Sequence, residues 1–352
     1  MRRRLLARFA SAALLAGALF GIARAARAET PPNSWDIVRD PSLRERWATH
    51  VYVQRQLFSA GSEEPLDRNR MRSFALDAAL RSLRAANAAT SDDVRLRFDL
   101  MQVLRERDNL LLEKHDAELL PLAQSVCGDE RATDHQRSTA CFVVALVHAK
   151  AERTEEEIAA YADVLRFESD PLQRGITVMN RAEGYMRLGR LTEAIEGYRE
   201  VIVMLSPLSQ RGDTITSAYW GLAVALDRYR DTQGALAAAS WAVSSDPGLF
   251  LVSPGHRPGE NPDVFFVPDY DAHWYRAIGW RAKAMSPGVP ARDVARYLGQ
   301  SAMEYALYVA SAERAKDQGY LAVGKDRLDA VKKLYAAAQK KVPPVPPDDF
   351  SF

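Results

Sequence analysis

Apolar residues recur at helical spacing along nearly the whole chain, and no stretch before residue 249 sustains a two-residue alternation. Asp40-Pro41 is a helix start and Gly61, after Phe58, a stop. Arg68 to Ala86 puts Leu76, Ala79, Leu80 and Leu83 on one side of a second helix. Thr90 to Asp93 reads as a capping box for a third helix through Leu104, and a fourth runs from about Leu110 to Val126, with Pro121 expected to kink it. Beyond Thr133 the helices repeat. Ala182, Tyr185, Ala194, Tyr198 and Val201 are separated by gaps of 3, 9, 4 and 3 residues. The same gaps separate Ala223, Leu226, Ala235, Ala239 and Ala242. Gaps of 3 and 4 hold one helix face, and the gap of 9 crosses a turn, so each unit is a helix hairpin closed through small side chains.

Two further copies keep the spacing: Ala145, His148, Glu157, Tyr161 and Val164, then Gly279, Ala282, Ala291, Ala295 and Leu298. Thr154 and Glu155 to Glu157 are read as capping the second helix of the earlier copy. The spacing and residue types resemble the tetratricopeptide repeat family; a helical bundle with fortuitous alanine spacing is the other reading. The resemblance implies an all-α fold, a right-handed α-α superhelix or solenoid. Its first helices would line a concave groove that binds a protein or peptide. By register the groove residues are Phe142, Leu146 and Lys150, then Met179, Glu183 and Arg187, then Trp220, Val224 and Arg228, then Arg276, Trp280 and Lys283. They offer an aromatic strip beside a basic row and do not reproduce the Lys and Asn pattern of family members that grip a peptide's terminal carboxylate. Both features also have structural readings. The strip would be contact between helices, or would be covered by Phe250 and Phe265, and the row would answer the helix dipole.

The first anchors, at 145, 182, 223 and 279, are 37, 41 and 56 residues apart. Against a repeat of about 34 residues the last step holds an insertion. This is Gly248 to Asp269, where apolar runs at Leu249–Val252 and Val264–Val267 flank Pro254, Gly255, Pro258, Gly259 and Pro262. The pattern predicts a short β-hairpin or an ordered loop whose Phe250, Phe265 and Phe266 dock on the scaffold or a partner, each contributing about 1.5–3 kcal/mol if buried. Val264 to Pro268 also resembles a stretch of exported repeat proteins of Gram-negative bacteria, which supplies no biochemical role. The expected organisation is a signal peptide over 1–28, degenerate helical hairpins over 29–130 and repeats over 131–247. The insertion over 248–269, a further repeat over 270–314, a capping helix over 315–341 and a disordered tail over 342–352 complete it.

Composition adds a compartment. Arg2, Arg3, Arg4 and Arg8 precede an apolar run from Phe9 to Ala23, and Ala26-Arg27-Ala28 supplies a small-x-small cleavage pattern. The expected mature protein starts at Glu29 and is periplasmic or secreted, with no membrane span after cleavage; an uncleaved anchor is the alternative. Removing six arginines leaves 41 basic against 46 acidic residues, a balance of −5 that argues against nucleic-acid binding. Oligomeric state is not legible. Cys127 and Cys141, the two cysteines, sit at the end of one predicted helix and near the start of the next; a disulfide and two buried thiols are both open.

The six histidines (50, 115, 135, 148, 256 and 273) show no metal-ligand spacing, and the sequence has no HExxH, CxxC or GxSxG motif. His148 reads as a core-edge histidine. Glu155, Glu156 and Glu157 answer the helix dipole. His256, Glu260 and Asp263 form a scattered polar group on the insertion. No catalytic residue, cofactor or metal ligand is assigned. The reading is a non-catalytic protein-interaction scaffold of the bacterial cell envelope. The alternatives are a structural component of an envelope complex and an enzyme with its site in the insertion. Intact-mass measurement of the exported protein is expected to show loss of residues 1–28; a mass retaining them would reject the cleavage site.

Overall fold

In the computed structural model thirteen α-helices follow one another, and no strand occurs among the residues it describes, which are 36, 39–61, 68–111, 113–207, 212–252 and 266–342. The helices are α1 (Pro41–Gly61), α2 (Arg68–Ala85), α3 (Val94–Leu111), α4 (Asp116–Cys127), α5 (Asp134–Lys150), α6 (Thr154–Phe167), α7 (Pro171–Arg187), α8 (Leu191–Leu205), α9 (Gly212–Arg228), α10 (Thr232–Ser245), α11 (Ala272–Ala284), α12 (Ala291–Ala315) and α13 (Leu321–Gln339). Short 3-10 turns occupy Ala88–Thr90 and Asp269–Asp271. The chain divides into two compact units, one holding the described residues through Thr177 and the other those from Val178 onward.

In the first unit each helix packs on its neighbour in sequence, and α1 and α5 also touch α3. The apolar faces of α1 to α6 meet in one core that includes Val53, Leu76, Leu83, Leu100, Leu104, Val126 and Tyr161. Asp40 Oδ1 accepts the amides of Ser42 and Leu43 at the start of α1. At α5 the Thr133 side chain accepts from the Gln136 amide while the Gln136 side chain accepts from the Thr133 amide, a complete capping box. Two expected caps are displaced. Thr90 closes a 3-10 turn by donating to Asn87 O, and α3 starts four residues later behind Ser91 and Asp93. Thr154 is the first helical residue of α6, whose Arg153 N-cap makes no side-chain bond. Cys127 and Cys141 form a disulfide, Cα to Cα 5.0 Å, that ties the end of α4 to α5.

The second unit shows what the repeated spacing does. Ala182, Ala194, Tyr198 and Val201, then all five residues of the next copy, are buried; in the last copy Gly279, Ala282, Ala295 and Leu298 are buried. Tyr185, half-buried with Arg190 over its ring, and exposed Ala291 are the exceptions. Small residues set the approach of the helices. A Cβ at Gly197 would stand 2.9 Å from Ala182 Cβ, so α8 lies directly against α7.

The expected β-hairpin does not form in the described part of the insertion. Leu249 has φ of 57°, a left-handed conformation that a strand cannot contain. The Asp246 carboxylate accepts the amides of Phe250 and Leu251, which turns the chain. Leu249 and Val252 are buried, while Phe250 lies 74% exposed over Gly248. Phe266 is half-buried, edge-on to Tyr275 at 5.2 Å; Phe265 and the insertion's tip lie outside the described residues.

A Cβ on Gly221 would fall 2.2 Å from Tyr198 Cε1, and that ring is held by a hydrogen bond from its hydroxyl to Glu183. Helix propensity favours alanine over glycine by about 1 kcal/mol, but overpacking a fixed ring costs about 1–3 kcal/mol. Gly221→Ala is therefore expected to lower the urea midpoint with an unchanged slope. A raised midpoint would mean that Tyr198 gives way.

Candidate functional site

Of the nine residues expected to line a groove in the second unit, Trp220, Val224 and Arg228 are buried and the other six are half-buried. Trp220 is 1% exposed and Val224 fully buried. A Cβ at Gly279 would meet Trp220 Cη2 at 2.7 Å and Leu249 Cδ2 at 3.1 Å, so the indole and Leu249 lie together against the backbone of α11. Leu249, and not Phe250, approaches the tryptophan. Glu183 Oε2 accepts from the Tyr198 hydroxyl at 2.7 Å and from the Tyr275 hydroxyl at 3.0 Å, joining α7 to α8 and to α11, 92 residues on. Arg187, with two of its guanidinium nitrogens shut off from solvent, and Met179 are half-buried. As corrections to the groove assignment, Trp220, Val224 and Arg228 are core and Glu183 is an internal acceptor.

Arg228, 3% exposed, pairs with Asp271 at 2.8 Å. Its guanidinium stands 4.9 Å from the Trp274 ring and 4.2 Å from the Tyr320 ring, a cation-π arrangement on both. Burial opposes its charge, yet Asp271 and the surrounding tyrosines outweigh that and raise the guanidinium's pKa. Burial lifts Asp271 above the usual carboxylate range against the opposing pull of Arg228.

Asp227, one residue earlier, is a hub. It accepts Trp274 Nε1 at 2.9 Å and the Tyr305 hydroxyl at 3.0 Å, and pairs with Arg327 Nε at 2.8 Å. Arg327 Nη2 also donates to the Asp227 carbonyl, and the Tyr320 hydroxyl donates to Met186 O. Burial, then the adjacent carboxylates, push the hydroxyls of Tyr198, Tyr275 and Tyr305 well above their ordinary range, so each stays a donor. Sequence reasoning missed Asp227, Trp274, Tyr305, Tyr320 and Arg327. The available signal was the density of Trp and Tyr at 270–275 and 305–308, inside helices that also needed buried hydrogen-bond partners.

The last copy behaves differently. His273 Nδ1 lies 2.7 Å from Glu304 Oε2, and Arg276 Nε donates to Oε1 at 2.8 Å. Burial would raise Glu304, but these two bonds outweigh it and hold the carboxyl below its ordinary range. Trp280 stacks on Tyr297 at 5.6 Å with Lys283 Nζ over both rings, and Lys283 also donates to Pro247 O.

In the first unit Phe142, half-buried, tilts against Tyr161 at 5.7 Å; Leu146 is half-buried and Lys150 exposed. Lys150 Nζ, 3.8 Å from Asp116, lines with it a depression of about 250 Å³ that Leu120, Pro121, Val147 and Arg153 also line. His148 is buried, its Nδ1 without a hydrogen-bond partner, and burial, then Arg153, lower its pKa. His256, Glu260 and Asp263 lie outside the described residues. No group of three or more His, Cys, Asp or Glu side chains able to hold a metal ion occurs among the described residues. No helix among them is long and apolar enough to cross a membrane.

No family model and no curated protein matches the chain. Among solved structures, BtubC (BKLC) from P. vanneervenii matches over 87% of this chain and 97% of its own, at 12% identity and a TM-score of 0.37. The apo form of RapI matches over 84% of this chain and 98% of its own, at 13% identity and a TM-score of 0.45. Neither likeness is close enough to bear on function.

Truncating buried Trp220 to alanine is expected to cost about 3–5 kcal/mol. Trp241, 63% exposed and stacked on Tyr219 at 5.8 Å, is expected to cost no more than about 1.5 kcal/mol when truncated. Urea denaturation of the two variants checks the ordering; equal losses would contradict the burial.

Proposed function

We propose that this chain is a non-catalytic scaffold of the bacterial cell envelope that holds a partner protein or peptide after loss of residues 1–28. The observation that carries the reading is that each unit is built from helix hairpins closed through small residues, the building block of repeat scaffolds. The carboxylates and hydroxyls of the second unit support a non-catalytic role, because Glu183, Asp227 and Asp271 are bound to Tyr, Trp and Arg side chains of the same unit. The Cys127–Cys141 disulfide supports an oxidising compartment, in keeping with the basic and apolar N-terminal pattern.

With Trp220, Val224 and Arg228 committed to the core, the partner surface is assigned to the first unit, along Phe142, Leu146 and Lys150 on α5 and the depression beside α4. Its walls suit an apolar side chain, and Lys150 and Arg153 suit a neighbouring acidic one. A photo-crosslinking residue at Leu146 is expected to trap one periplasmic protein reproducibly, and Lys150→Glu with Arg153→Glu to reduce that yield at least about tenfold, some 1.4 kcal/mol, with helical content unchanged. Capture unaffected by the charge reversals would remove this surface. The absence of any specific partner would reject the scaffold reading.

A further inference from the structure

Each buried charged side chain described in the second unit has an ion-pair or hydrogen-bond partner, with one exception. Arg228 has Asp271, Asp227 has Arg327, and Glu304 has His273 and Arg276. Buried Asp246 is satisfied by the amides of Phe250 and Leu251. Arg281 on α11 is only 9% exposed, and among the described residues no carboxylate lies within ion-pair distance of it. Its Nε is shut off from solvent without an acceptor. A guanidinium carries five N–H donors and does not lose its proton in a protein, so burial without acceptors is costly.

Among the described residues the surroundings offer Arg281 no free carboxylate. Arg281 is close enough to Tyr305 for its charge to act on that hydroxyl, as Arg327 does. The single carboxylate bound there, Asp227, already accepts from Tyr305 and Trp274 and pairs with Arg327. The carboxylate that binds Tyr305 is thus already occupied, and Arg281 has none of its own.

We propose that Arg281 is the seat of an oxyanion site, taking a carboxylate or phosphate group from solution through the residue's remaining exposure. A planar fork of donors matches two oxygens of such a group and prefers it to chloride, which offers one centre. The inference is independent of the scaffold reading and survives or fails without it.

The test is urea denaturation of the mature, disulfide-intact protein in inorganic phosphate, in acetate, and in sodium chloride at matched ionic strength. The wild-type midpoint is expected to rise saturably with phosphate or acetate beyond the chloride control, as binding to the folded state requires. Arg281→Met is expected to lose that response. Arg281→Lys, which keeps the charge but not the fork, is expected to keep it with an apparent affinity about tenfold weaker. A wild-type response equal in chloride and both oxyanions overturns the proposal whatever the variants do, and so does an Arg281→Met protein that responds like the wild type.

Discussion

A cation buried at the end of α9 organises the second unit. Arg228 has left water almost completely, and an uncompensated charge there would cost several kcal/mol. Compensation comes from Asp271, at the close of a 3-10 turn, and from the faces of Trp274 and Tyr320. The turn, the start of α11 and the α12–α13 connection must therefore all reach one point. Asp227, at the adjacent position, fastens the end of α9 to α11, α12 and α13.

That arrangement reverses the expected use of the repeat positions. In a plain stack the positions beside the small anchors face outward into a groove. Here Trp220 lies against α11, Val224 is buried, and Glu183 and Arg228 bind the chain's own Tyr275, Asp271 and Trp274. In the first unit the corresponding positions on α5, Phe142, Leu146 and Lys150, are half-buried or exposed.

The helical architecture was legible because its signal is periodic and local: alanine and glycine at gaps of 3 and 4 pack helices wherever they occur, and nearly all of them are buried. The caps were less so, since Thr90 and Thr154 offer the right side chain but Ser91, Asp93 and the backbone around Arg153 decide where the helix begins. The strand expectation for Leu249 to Val252 rested on apolar β-branched composition. Asp246, three residues upstream, overrides it by capturing two amides that a strand would have needed. The groove expectation rested on register alone, and the partners of Arg228 and Glu183 lie 43 and 92 places away, for which no local pattern exists.

The bond from Tyr320 to the Met186 carbonyl spans 134 residues, and that from Arg327 to the Asp227 carbonyl spans 100. A stack held only by neighbours can fray or grow one hairpin at a time, with short-range loops and a low contact order. These closures make the second unit a different object. Its first and last helices are sequence-distant partners, so the ends cannot be shortened as spare repeats, and its assembly waits on contacts that form only after the final helix has been made.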